Sequence, residues 1–233
     1  MAGIGFELRK LLSKKSYAGV LQAYTYAGII ASGPWVLSIL GIMLIGLLSI
    51  GVVLPQVRIA QFQVTVTYLF MVSLVLTGLV QLSFTRFVAD RIFAKDEAAI
   101  LPNFNGLLMV AIATCLLLGL PVVLIGFPGQ TALYKTLFLM GLATLSALWV
   151  ATVFLTGMKH YKAILLIFFL GYSATIVMAL FLRNYLGMEG LLLGFVAGHF
   201  LLLAGMIWLV YRTYHSDRFV AFDIWKKGAM YRS

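Results

Sequence analysis

Charged residues are nearly excluded from six long stretches of this chain, near 18–48, 60–84, 104–126, 132–157, 163–183 and 189–211. Each is long enough for a helix to cross the roughly 30 Å hydrocarbon layer, which takes about 20 apolar residues. The pattern predicts an all-α polytopic membrane protein: an N-terminal segment 1–16, a bundle of six transmembrane helices over 17–211, and a polar tail or connector over 212–233. Turn formers separate the stretches. Pro55 follows the first, Phe127-Pro128-Gly129 the third and Gly187 the fifth. The gaps 86–97 and 159–162 are polar.

The first stretch is ambiguous by length alone. Ser16 to Val57 runs 42 residues without a charge, room for two spans joined at Ser32-Gly33-Pro34. Basic residues settle the count, because those near membrane spans stay on the cytoplasmic side. With six spans, 14 of the 17 bases fall in alternate gaps, among them Lys10, Lys14, Arg86, Arg91, Lys159 and Arg212. Only Arg58, Lys135 and Arg183 fall on the other side. Seven spans would give 7 inside and 10 outside. The expectation is therefore six spans with both termini inside, and a long first helix bent at Gly33 and Pro34. Pro34 cannot donate to the carbonyl of Ile30, and its ring opens that turn.

Composition agrees. Hydrophobic residues make up 63% and charged residues 10%, against about 25% charged in soluble domains. The net charge of +10 follows from topology, since anionic headgroups attract cytoplasmic bases; no nucleic-acid partner is expected. Cys115 is the only cysteine, so no internal disulfide forms. Ile4, Leu8, Leu11 and Leu12 share one helical stripe, which suits either an amphipathic helix on the inner leaflet or an ordinary basic flank.

Polar residues inside the stretches are the candidates for function. Ser73, Thr77, Gln81 and Thr85 recur every fourth residue, and Gln22 and Tyr26 share a face of the first helix. Such groups suit either a water-filled path for a hydroxyl-rich substrate or hydrogen bonding between helices. His199 lies mid-span, where an ionisable group is either a proton carrier or a neutral ring bonded to a carbonyl. Gly190, Gly194 and Gly198 form a ridge on which another helix, internal or intermolecular, can close.

Enzyme signatures are weak. A rhomboid-like protease needs Gly-x-Ser-Gly on the fourth span, and Ser146 stands in Thr-Leu-Ser-Ala. No phosphate-binding loop or His-Glu-x-x-His is present. No enzyme, metal or cofactor is expected.

Two strings go further: Met1-Ala-Gly-Ile-Gly-Phe-Glu-Leu-Arg-Lys-Leu-Leu12, and Ser32-Gly-Pro-Trp35 after Tyr24 to Ile30. They resemble the N-terminal region of the PelG family, inner-membrane transporters of the bacterial Pel exopolysaccharide. That family is similar to MATE-like flippases, built as two six-helix halves around a cavity. The resemblance implies export of a GalNAc-rich polysaccharide made by PelF, membrane partners PelD and PelE, and cyclic-di-GMP sensing by PelD. It also implies that this chain corresponds to the N-terminal half, with 219–233 leading into a second. A membrane scaffold that docks a polysaccharide synthase is the competing expectation.

The topology is open to labelling. Cysteines placed at 56 or 129 should react with an impermeant reagent outside intact cells, and those at 96 or 160 should not. Outside labelling at 96 would reverse the assignment.

Overall fold

The computed structural model describes residues 17–156 and 161–225, with side chains except at 18, 19, 22–35, 79, 156, 161 and 162. Among these residues every regular element is helical. Helix α1 spans Tyr17–Ser49, α2 Val57–Phe93, α3 Ile100–Gly126, α4 Ala132–Thr156 and α5 Tyr161–Thr213. Short 3₁₀ turns lie at Glu97–Ala99 and Asp223–Trp225. Among the described residues four stretches are long and apolar enough to cross a membrane: Val57–Gly78, Glu97–Gly126, Ala132–Leu155 and Ala163–Thr213. Val36–Ser49 is a shorter apolar stretch.

Helix α5 is two antiparallel arms, 161–186 and 188–213, folded at Gly187. There φ is 56° and ψ is −127°, a conformation open to glycine and strained for any residue with a Cβ. Each arm is about 39 Å long at 1.5 Å per residue, longer than the roughly 30 Å hydrocarbon layer. The glycine ridge joins the arms. A methyl group on Gly190 would fall on the backbone of Leu182, on Gly194 on that of Ala179, and on Gly198 on Thr175. Gly171 sits equally close to Leu202 from the opposite arm. The partner of the ridge is therefore internal.

Helix α4 is the most enclosed element and packs on α2, α3 and α5. Leu142, Leu145, Leu148 and Leu155 fill its fully buried positions. Helix α1 packs chiefly on α5 and less on α2. Two aromatic clusters fill the bundle. Phe84, Phe104, Phe154 and Tyr214 stack near one end, with Phe104 and Phe154 centroids 5.0 Å apart. Phe62, Phe70, Phe195 and Trp149 lie deeper.

Some helices outrun the expected spans. Helix α2 continues past residue 84 through Arg86, Asp90 and Arg91 to Phe93. No breaker intervenes before Lys95, which takes φ 57°, and water tolerates a charged helix end. Helix α3 begins at Ile100, four residues before the expected 104. The alternate gaps gather at opposite ends. Arg58, Lys135 and Arg183 lie on elements at one end, and Arg86, Arg91, Lys95, Arg212 and Arg218 at the other.

Both ends are clasped. At the first, Arg183 Nη1 donates to the carbonyl of Leu48 and, at 3.0 Å, to Ser49 Oγ. A cation thus meets the unsatisfied carbonyls and negative dipole end of α1. Thr131 caps α4 by accepting from Tyr134 N–H at 3.1 Å, and donates its own proton to Glu189. At the other end, residues 219–225 form a strap over the start of α3. Buried Asn103 Oδ1 accepts from the N–H groups of Asp223 (2.8 Å) and Ile224 (3.3 Å). Asn105 Nδ2 donates to Phe219 O at 2.8 Å, and Ala221 N–H to Pro102 O at 3.0 Å. Gly106 admits the strap: a methyl there would overlap Ala221 O. Burial, and then the negative charge of Glu97, push the Tyr214 hydroxyl above its ordinary pKa range.

Two glycine substitutions test this packing. Gly194→Leu should separate the arms of α5 and lower the thermal midpoint in detergent, whereas Gly78→Ala, which meets no atom within 4 Å, should not. Gly106→Ala should release the strap and speed trypsin cleavage after Arg218 while the bundle stays folded. Unchanged cleavage would mean the strap is held by other contacts.

Candidate functional site

The four-residue polar row on α2 runs from the interior to one end. Ser73 is 0% exposed. Its Oγ donates to Phe70 O at 3.0 Å and accepts from Trp149 Nε1 at 2.9 Å. Thr77, also buried, donates to Ser73 O at 2.7 Å and accepts from Gln81 Nε2 at 2.6 Å. Thr85 is exposed and bonds Gln81 O at 2.8 Å. Ser73 and Thr77 form a relay in which each hydroxyl spends its proton on its own helix and accepts from a neighbour. Through Trp149 it fastens α2 to α4. Gln81, half-buried, is where the row approaches the surface.

His199 lies apart from that row, 1% exposed on the second arm of α5. Its Nδ1 is 2.9 Å from Phe195 O, the geometry of a donated hydrogen bond that leaves Nε2 as a lone-pair acceptor. Nε2 has no hydrogen-bond partner among the described residues. Rings of Phe70, Tyr172 and Phe195 surround the imidazole at centroid distances of 5.9, 5.4 and 4.1 Å. The Tyr172 hydroxyl pairs with Ser38 Oγ of α1 at 2.5 Å. His199 therefore sits where α1, α2 and both arms of α5 meet.

Gln22, Tyr26, Gly33 and Pro34 belong to α1, whose helix runs through all four, but their side chains lie outside the described residues. Residues 1–16, with the proposed amphipathic stripe, also lie outside. Ser146 is buried, donates to Leu142 O at 2.7 Å and pairs with Cys115 Sγ at 2.8 Å. Among the described residues no three of His, Cys, Asp and Glu come together as metal ligands would.

A cavity of about 400 Å³ opens near the other end of α2, between α2, the close of α3 and the start of α4. Gln61, Thr65, Tyr68, Gln130, Tyr134 and Phe138 are among its walls. Sequence reading missed it. Gln61, Thr65, Tyr68 and Val72 do follow one helical stripe, a signal in plain view, but their partners on α4 are sequence-distant. Asn103, Asn105 and Gly106 were also missed, because 98–103 reads as a loop before a span and 105 and 106 read as the ordinary start of one.

Comparison with known proteins identifies a family. The family model described as "PelG: Putative exopolysaccharide Exporter (EPS-E)" matches residues 1–233. No curated protein and no solved structure matches the chain. The match extends over every helix described above, the strings at Met1–Leu12 and Ser32–Trp35 included. Apolar helices of membrane-crossing length and a family match of this extent lead to one conclusion: the chain belongs to the PelG family of exopolysaccharide exporters.

Proposed function

We propose that this chain passes the Pel polysaccharide across the bacterial inner membrane, as the six-helix N-terminal half of a two-bundle transporter with both termini in the cytoplasm. The observation that carries this reading is the family match over residues 1–233. The gathering of bases at one end of the bundle supports the orientation. In this reading PelF makes the polymer in the cytoplasm, and PelD and PelE dock on the basic end. The path would run along Gln22 and Tyr26 of α1 and the Ser73, Thr77 and Gln81 row of α2, with His199 behind it. Ser73 and Thr77 hold the wall together, and the amide of Gln81 meets the sugar. Neutral amides and hydroxyls suit a sliding sugar chain, because they exchange hydrogen bonds without fixing a charge.

A second reading, a scaffold that docks the synthase without forming a conduit, is favoured by the closed packing of Ser73 and Thr77 against Trp149. One experiment separates the two. Thr77→Val with Gln81→Leu keeps the apolar bulk and removes the relay. A conduit predicts that polymer secretion falls several-fold while PelD, PelE and PelF still co-purify. A scaffold predicts that secretion is lost only where those partners are lost. Wild-type secretion with partners bound would end the pathway assignment for this row.

A further inference from the structure

The cavity between α2, α3 and α4 has an ordered polarity. Gln61 lies one turn into α2 and Gln130 just before α4, so the two amides mark its outer rung. The next rung is a hydroxyl pair, Thr65 and Tyr134, 2.8 Å apart. Deeper still come Val72 and Phe138, with Val122 of α3 along the side. From Gln61 to Val72 is about 16 Å along the helix axis. Among the described residues the walls carry no Asp, Glu, Lys, Arg or His. The mouth opens sideways, beside Val64 (53% exposed) and Val122, which face outward like the rest of the bundle's apolar surface.

The proton count on the second rung is fixed. Thr65 Oγ1 has one proton and donates it to Gln61 O at 2.7 Å. Tyr134 must therefore donate to Thr65, which leaves its oxygen as an acceptor facing the cavity. Neither side-chain amide of Gln61 nor that of Gln130 is engaged among the described residues. The upper part thus offers two neutral amides, each with donors and an acceptor oxygen, and the Tyr134 oxygen as a further acceptor, and the lower part offers only dispersion contact.

We infer that this groove is a lipid-binding site, taking one glycerophospholipid with its headgroup at Gln61 and Gln130 and one acyl chain running past Val64 and Val122 to Val72 and Phe138. The inference does not depend on the export reading. An apolar groove open to hydrocarbon does not stay empty, since unfilled walls forfeit their dispersion contacts. Water gains too few hydrogen bonds in the deep part to remain there. A sugar chain would satisfy the first two rungs and then leave its hydroxyls unpaired against Val72 and Phe138, which burial penalises. An amphiphile matches the gradient from end to end. The volume lies within the range of about 300–1,000 Å³ usual for small-molecule sites.

Native mass spectrometry of the full chain, titrated with phosphatidylethanolamine, tests the site. The wild type should hold one lipid in a saturable step. Val64→Trp, which plugs the mouth from an exposed position, should weaken that step at least tenfold. Val122→Trp should do the same from the facing helix, so a folding defect in one variant leaves the other to decide. Leu82→Trp lies on the same face of α2 five turns away, is still more accessible at 74% exposure, and should bind as the wild type does. Equal lipid binding by wild type and both plugged variants would overturn the site. So would a neutral hexosamine oligosaccharide that binds the wild type and is lost in Val64→Trp while the lipid is unaffected. That outcome would make the groove part of a glycan path.

Discussion

Close backbone approach between the two arms of α5 is the constraint on which the rest of this bundle depends. In a bilayer the lipid tails are as apolar as leucine, so no hydrophobic force draws one apolar helix to another. Helices associate by dispersion, which falls away steeply as their surfaces separate. Gly190, Gly194 and Gly198 remove the side chains that would hold the arms apart, and their absence brings backbone onto backbone. The joined arms present one surface to α1 and α4. They also set the spacing between Tyr172 on one arm and His199 on the other, and through Tyr172 the position of Ser38 on α1. Widening the arms would open the aromatic box around His199 as well.

Polar side chains inside the bundle follow a second rule. Thr65, Thr77, Ser146 and Thr152 each donate to the carbonyl four residues back. That local bond satisfies the proton in a medium where an unpaired donor is costly. It leaves the oxygen free to accept, and a neighbouring side chain uses it: Tyr134 on Thr65, Trp149 on Ser73, Gln81 on Thr77. Thr65 and Ser73 thus act across helices as acceptors rather than donors. For any passing sugar this matters, because a wall of occupied hydroxyls offers little to hold on to. A conduit along this face has to rely on the amide of Gln81 or on a rearrangement of the relay.

The helical architecture was legible in the sequence because charge exclusion is imposed by the membrane residue by residue. The fold at Gly187 could be read for a related reason: few residues but glycine tolerate φ of 56°, and a charge-poor run too long for one crossing needs a reversal. The ridge was visible as well, but its partner was not, since spacing within one helix says nothing about which helix closes on it. Helix ends were harder to place. Outside the hydrocarbon, α2 is limited by local breakers rather than by charge, so Arg86 and Asp90 sit in helix. The strap and the cavity stayed hidden for one cause. Asn103 meets Asp223 across 120 residues, and Thr65 meets Tyr134 across 69. No periodic pattern connects such pairs. Asparagines just ahead of an apolar run were the one available hint, because buried amides need partners.

The clasps at the two ends have a mechanical consequence. Arg183 ties α5 to the close of α1, and Glu189 ties the turn after Gly187 to the cap of α4. At the far end Asn103 and Asn105 tie the strap to α3. Each clasp joins segments that short loops alone would let slide. With α4 packed on three neighbours between them, little internal shear is left to the bundle. Alternating access in transporters of repeated architecture proceeds largely by rocking one bundle against another, which demands bundles that move as units. Under the two-bundle reading proposed above, the clasps would meet that demand, and movement would then lie at the outer faces of α1 and α2 rather than within the core around Trp149.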